Sequence, residues 1–269
     1  MSDTNDYQDN SFNLYQAYSY TLLLQVGLTS FSYAVVDKNR LLVSAQNCDL
    51  SELSNPKQLS DLLSATYKKV IIGLPATGFT LVPLSLFSEE HVADFARFLD
   101  VKPNEKVLAQ QLNDQNMIIY KTDEALLSAV ERFNLANTVY TAKGWIKAIA
   151  KTNPANSDLY IEAGENTLQF LYFSSGILRF YNTFEFKNAD ELVYFTAFVT
   201  EELSLTPEDT TVVLSGDFSK DDKNMTRLAE FFPNLELSDL KVLELPGQLA
   251  THKLLALAAL SLCGSSEGL

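Results

Sequence analysis

From Tyr18 to Gln46 the chain alternates short apolar runs with turn residues: SYTLLLQVG, FSYAVVD and RLLVSAQ, the last two divided by Asp37-Lys38-Asn39. Apolar runs of this length, broken by Gly, Asp and Asn, predict three antiparallel strands joined by tight turns. The period then changes. Leu59, Leu62, Leu63 and Tyr67 recur at three and four residues, the spacing of one helix face, before KVIIGLP returns as a buried strand. Ser88-Glu89-Glu90 opens a predicted helix through Phe98, with Ser88 as N-cap and acids in the first turn. A hairpin over about 105–122, turning at Asn113 to Asn116, comes next. A helix from about Asp123 to Phe133, a strand at Thr138 to Thr141 and a helix over Lys143 to Lys151 complete this half.

The polar segment Thr152-Asn153-Pro154-Ala155-Asn156-Ser157 is the clearest break, and beyond it the opening pattern returns. DLYIEAG, TLQFLYF and ILRFYNTFEF predict three strands, with Ser174-Ser175-Gly176 turning the last two. A helix over Asn188 to Leu203, a strand at Thr211 to Leu214, a helix over Lys220 to Phe232, a strand at Val242 to Leu245 and an apolar terminal helix follow. The glycines ending the two first strands, Gly27 and Gly164, stand 137 residues apart. A repeat of that size implies duplication of a whole α/β unit. The expected division is a disordered tail over 1–17, a first domain over 18–152 that includes the hairpin, and a second over 153–269.

Composition narrows the function classes. The net charge of −14 and pI near 4.5 oppose phosphate neutralisation, so no nucleic-acid partner is expected. The polar start MSDTNDYQDNS lacks the basic and apolar segments of a signal peptide, and no apolar run reaches membrane-spanning length. LLALAALSLC, Leu254 to Cys263, is too short and reads as a buried helix, so no membrane insertion and a cytoplasmic location are expected. Cys48 and Cys263 form no CxxC motif, and His91 and His252 have no metal-ligand spacing. GxSxG, HExxH and GxxxxGK[ST] are all missing.

Three antiparallel strands with Gly after the first, then alternating helix and strand, all given twice, resemble the actin, Hsp70 and sugar-kinase superfamily. Its ribonuclease H-like fold is also that of cell-division and pilus-assembly members. LLLQVGLTSFSYAVVD, DLYIEAGENTLQFLYFSSGILRFY and TTVVLSGDF are similar to its first phosphate loop, second phosphate loop and adenosine-side motif. With GLPATGFTLVPLSLFSEE, the sequence resembles a bacterial family of unknown function assigned an actin-like ATPase fold, over nearly all of the chain after residue 18.

The resemblance implies a fold of two duplicated actin-like α/β domains and a set of candidate nucleotide contacts. Gly27, Thr29 and Ser30 in the first loop, Glu162, Gly164, Asn166 and Thr167 in the second, and Gly216 beside the base are those candidates. Such loops hold phosphates with backbone N–H groups, while carboxylates at strand ends hold Mg²⁺ and orient water. This chain departs from that pattern at four places. The first-loop Asp position carries Gln25, and the second-loop acid is Glu162, one methylene longer. The connecting strand Val139-Tyr140-Thr141-Ala142-Lys143 has no carboxylate, and the usual glycine pair is Gly216-Asp217, with Asp217 also a candidate helix cap. The expectation is a non-catalytic scaffold or interaction protein with a degenerate nucleotide cleft, no catalytic or metal-ligating residue, no cofactor, and a protein partner or self-association. The alternative is an ATP-binding protein or slow ATPase with Mg²⁺ anchored by Glu162.

Overall fold

The computed structural model describes residues 6–263. They form two compact units, one running up to Gly144 and resuming at Leu257, the other spanning Trp145–Ala256.

The first unit is built on β1 (Tyr7–Gln8), β2 (Thr21–Val26), β3 (Ser30–Asp37) and β4 (Arg40–Asp49). Helices α1 (Ser51–Ser54) and α2 (Ser60–Ser64) lead to β5 (Lys69–Leu74). After an insertion holding β6 (Gly78–Pro83), α3 (Val92–Ala96), β7 (Glu105–Gln111) and β8 (Asn116–Asp123), the unit continues with α4 (Glu124–Val130) and β9 (Thr138–Tyr140). Its main sheet has the order β1-β4-β3-β2-β5-β9, antiparallel through β2 and parallel from β2 to β9. Leu22 and Leu24 of β2 and Ile72 and Leu74 of β5 meet Leu53, Leu63, Leu126 and Val130 from the helices, all buried. Removing these apolar side chains from water is the main favourable term for the unit.

The tail expected over 1–17 is ordered from residue 6; residues 1–5 lie outside the described part. Tyr7 and Gln8 pair with Ser44 and Val43, and the Asp9 N–H donates to Leu42 O at 2.7 Å. Arg40 forms an ion pair with the Asp9 carboxylate. A short 3-10 helix at Leu14–Ser19 then buries Ala17. The polar composition hid these contacts because an edge strand is held by its backbone more than by its side chains.

The hairpin expected near 105–122 is present as β7 and β8, and β6 joins it in the order β6-β8-β7. The helix expected over 88–98 is broken into short 3-10 turns flanking α3, and Ser88 makes no capping bond. Behind this small sheet sits a buried ion pair, Lys121 Nζ to Glu105 Oε2 at 2.9 Å. Lys121 also donates to Asp100 O (3.0 Å), while Glu105 accepts from Thr77 Oγ1 (2.6 Å) and the Lys102 N–H (2.8 Å). Those donors hold the Glu105 carboxyl down at about 2.

The chain passes between the units inside α5 (Lys143–Ala150), and again inside α8 (Thr251–Ala259). The division therefore differs from the expected boundary at 152, and residues 257–263 belong to the first unit. Gly144 explains the return: a Cβ there would lie 2.4 Å from Ala259 O, so only glycine lets the end of α8 approach so closely.

The second unit repeats the plan with β10 (Asp158–Ala163), β11 (Thr167–Ser174), β12 (Ile177–Glu185), α6 (Ala189–Glu202), β13 (Thr211–Gly216), α7 (Lys223–Ala229) and β14 (Asn234–Leu237). The order β12-β11-β10-β13-β14 matches the five core strands of the first sheet in position and direction. Ser175 and Gly176, at φ 54° and 73°, make the two-residue turn joining β11 and β12. Asn188 caps α6 by accepting from the Glu191 N–H, and α6 with α7 covers Leu159, Ile161, Phe170, Val212 and Leu214. The last strand lies at 234–237, pairing with β13, and not at Val242–Leu245. Leu243 is buried without joining a strand, so its apolar run reports burial alone.

Candidate functional site

The two phosphate-loop candidates are turns of the same build. In the first unit β2 and β3 meet at Gly27, whose N–H donates to Ser30 O at 2.8 Å. In the second unit β10 and β11 meet at Gly164, whose N–H donates to Thr167 O at 2.8 Å. A Cβ on Gly27 would stand 2.9 Å from Ser30 O, and one on Gly164 would stand 3.0 Å from Thr167 Oγ1. Tightness therefore selects glycine at the first, whereas at the second a small shift of the Thr167 hydroxyl would make room. Thr29, Glu165 and Asn166 are exposed at the tips, and Asn166 O accepts from the Phe186 N–H at 3.0 Å.

The floors of the two turns differ. Gln25 is half-buried and stands in register with Ser32 on one side and Gly73 on the other. A Cβ on Gly73 would come within 2.9 Å of Thr141 Oγ1, which is buried without a hydrogen-bond partner among the described residues. Thr141 directly follows β9.

In the second unit Glu162 occupies the position of Gln25, in register with Gln169 and Ser215. Alternation puts it on the sheet face opposite Leu159, Ile161 and Ala163. It is 7% exposed, and its Oε2 has no hydrogen-bond partner among the described residues. Burial pushes its carboxyl up to about 8, against a smaller lowering by the neighbouring Ser215 hydroxyl.

Gly216 locks the adjoining corner. Its φ is +84°, and a Cβ would lie 2.1 Å from Ala163 O. The Asp217 N–H donates to that same oxygen at 2.9 Å, fixing the end of β13 against the second turn. The Asp217 side chain is exposed and does not cap α7. Asp222 does so instead, accepting from the Met225 N–H at 2.7 Å.

The candidates thus divide between units: Gly27, Thr29 and Ser30 in the first, Glu162, Gly164, Asn166, Thr167 and Gly216 in the second. Ser215 and Thr141 were missed as neighbours of these positions. Ser215 could have been found from its place just before Gly216, since parallel strands bring their ends together. Both histidines have local partners, His91 Nδ1 with Asp94 at 3.2 Å and His252 Nε2 with Phe218 O at 3.0 Å. Among the described residues no group of three or more His, Cys, Asp and Glu is placed to hold a metal ion, and no helix is long and apolar enough to cross a membrane.

The model of a family of proteins of unknown function, DUF3822, matches residues 9–235. No curated protein matches the sequence. Among solved structures, a Bacteroides thetaiotaomicron protein with an actin-like ATPase fold and unknown function superposes with a TM-score of 0.74 at 21% identity, over 93% of this chain and 99% of that one. The PilM–PilN type IV pilus biogenesis complex gives 0.60 at 14% identity, over 91% and 98%. The ethanolamine utilization protein EutJ from Carboxydothermus hydrogenoformans gives 0.50 at 8% identity, over 91% and 90%. At these identities the likeness establishes the actin-like fold in both halves of the plan.

Proposed function

We propose that this chain, which belongs to the DUF3822 family of unknown function, is a non-catalytic actin-like-fold protein that works through contacts with other proteins. The observation that carries this reading is the state of Glu162. It is the one acid at the floor of either turn, and with its carboxyl pushed to about 8 it is mainly uncharged near pH 7. Mg²⁺ at a nucleotide is held by one or two ionised carboxylates together with phosphate oxygens and water, and Glu162 is the single candidate here, uncharged as it stands. Gln25 supplies no charge to replace it. Asp217, exposed beside Gly216, would add a negative charge where a nucleotide phosphate would need donors. That one fold neighbour comes from a PilM–PilN complex is in keeping with a protein partner for this chain.

The second reading is nucleotide binding by the same turns, with no cofactor contact assigned beyond the candidates above. The partnerless Glu162 Oε2 favours it, because a cation or a donor from a ligand would satisfy that atom and lower its pKa. A thermal-shift titration of the full chain with ATP and Mg²⁺, repeated with Glu162→Ala, separates the two. A ligand that binds the folded state raises Tm once it exceeds its Kd. The expected result is no shift for either protein. A Mg²⁺-dependent rise in the wild type that Glu162→Ala removes would replace the first reading with the second.

A further inference from the structure

The two main sheets finish differently at their third strand. In the first unit β1 covers the outer side of β4. In the second unit the equivalent strand, β12, has β11 as its single neighbour among the described residues. The Thr183 N–H reports the direction of that outer edge: it turns to its neighbour's side chain, Asn182 Oδ1, at 2.9 Å instead of joining β11. An edge strand left this way is a template for another strand.

Its side chains are arranged symmetrically about Asn182. Arg179 lies three residues before it and Glu185 three after. Both are exposed, and neither forms an ion pair among the described residues. Arg179 is also the extra residue where the register with β11 shifts, since Phe180 pairs with Tyr172 and Leu178 with Phe173. A bulge of this kind re-aims its side chain. Phe180 and Phe184 lie two residues either side of Asn182. Phe184 stacks on Phe195 of α6 at 4.7 Å and meets Phe198 edge-on at 6.3 Å. Tyr194 and Phe198 continue this aromatic shelf to the surface, 64% and 41% exposed.

We propose that β12 pairs antiparallel with β12 of a second copy about Asn182, so that two second-unit sheets join across a two-fold axis. In this register Arg179 faces Glu185 of the other copy at both ends, Phe180 faces Phe184 twice, and Asn182 meets its own counterpart. A two-fold contact must be self-complementary, and opposite charges at equal distances from the centre satisfy that condition. A strand with like charges at its two ends would repel itself. The two-fold stands across the sheet, so both α6 shelves come to one face and Tyr194 and Phe198 of each copy approach the junction. Aromatic side chains of this kind are enriched at protein interfaces. The inference takes the proposed interaction role one step further by naming the partner.

Sedimentation of the full chain tests it. At about 100 µM, where even a weak two-fold pair assembles, the wild type should run as a dimer. Arg179→Glu and Glu185→Arg should each weaken self-association by about tenfold or more, because each sets like charges opposite one another at both ends. Mixed in equal amounts, these two variants should recover a heterodimer, since every end contact then joins opposite charges. Thr183→Pro removes an N–H that lies outside the β11 ladder, so it should abolish the dimer while the far-UV spectrum is retained. A wild type that stays monomeric overturns the proposal. So does a dimer indifferent to Thr183→Pro and the charge reversals, or a pair of weakened variants that fails to recover on mixing. A monomer with no nucleotide-induced shift would overturn the dimer and leave the proposed function standing.

Discussion

Two carboxylic acids are withdrawn from water in this molecule, and their surroundings treat them oppositely. Glu105, in the inserted sheet of the first unit, has Lys121 Nζ at 2.9 Å, the Thr77 hydroxyl and the Lys102 N–H on its oxygens. Its carboxyl is held at about 2. Glu162, at the floor of the second unit's turn, is the more deeply buried, with Ser215 as its one lowering neighbour and Oε2 left unpartnered. Its carboxyl rises to about 8. Burial by itself raises an acid; only charge and donors bring it down. Glu105 therefore belongs to the architecture of its sheet. Glu162 opposes the stability of its own, which directs attention to what else its position could serve.

The largest way to break this contrast is to take away the counter-charge of Glu105. Lys121→Met keeps the aliphatic stem and leaves the carboxylate buried without its cation, which should cost about 3–5 kcal/mol by chemical denaturation. The Lys102 N–H and the Thr77 hydroxyl still hold the acid down, so stability should still be lost as the pH falls, over a window somewhat above that of the wild type. A loss under about 1 kcal/mol would mean that the pair is solvated like a surface salt bridge.

Gly216→Ala attacks the other member. The new Cβ would need the space of Ala163 O, 2.1 Å away, at a φ of +84°, so β13 must move off the end of β10. A loss of at least about 2–3 kcal/mol is expected. Water admitted at this corner should also let the Glu162 carboxyl fall toward its ordinary value, readable by NMR titration of that side chain. An unaltered titration beside a full stability loss would show that the seal over Glu162 lies elsewhere. Gly27→Ala, at 2.9 Å from Ser30 O, is the milder counterpart.

The contrast also marks what the sequence could carry. The repeat was legible because the core strands carry apolar residues at matching places: Leu22 and Leu24 in β2 answer Leu159 and Ile161 in β10, and both runs end at a glycine in the turn. Gln25 and Glu162 were legible as counterparts for the same reason, being two residues before those glycines. The environment of Glu162 was not, since Ser215 reaches it only through the parallel pairing of β10 with β13, more than fifty residues on. The Glu105–Lys121 pair was equally hidden, since a hairpin pattern does not show which charged residues face each other across it. β1 was lost to composition, and the strand expected at Val242 to Leu245 was misplaced, because an apolar run reports burial without distinguishing a strand from a packed loop. The units divide at Gly144 for a reason that no local pattern shows, the close approach of Ala259 from the far end of the chain.

The smallest effect is the most diagnostic, because its sign is unusual. Glu162→Gln keeps the shape of the side chain and removes the titration. In the wild type the folded carboxyl holds its proton up to about 8, while the unfolded one releases it near the ordinary value of 4.5. The folded state thus binds the extra proton across that window, and stability falls as pH rises through it. Below the ordinary value both states are protonated, and the contribution is fully present. Glu105 runs the other way: its stabilisation is complete above 4.5 and is lost as the pH falls toward about 2. Glu162→Gln removes that slope, so it should lie below the wild type near pH 4.5 by the cost of its unpaired amide N–H groups, about 1–3 kcal/mol, and above it by about 1–2 kcal/mol at pH 8. Denaturation midpoints measured every half pH unit from 4.5 to 8.5 would show the two curves crossing. Parallel curves would mean that Glu162 is already ionised in the folded protein, and a charged, buried acid at this turn would return the nucleotide reading to first place.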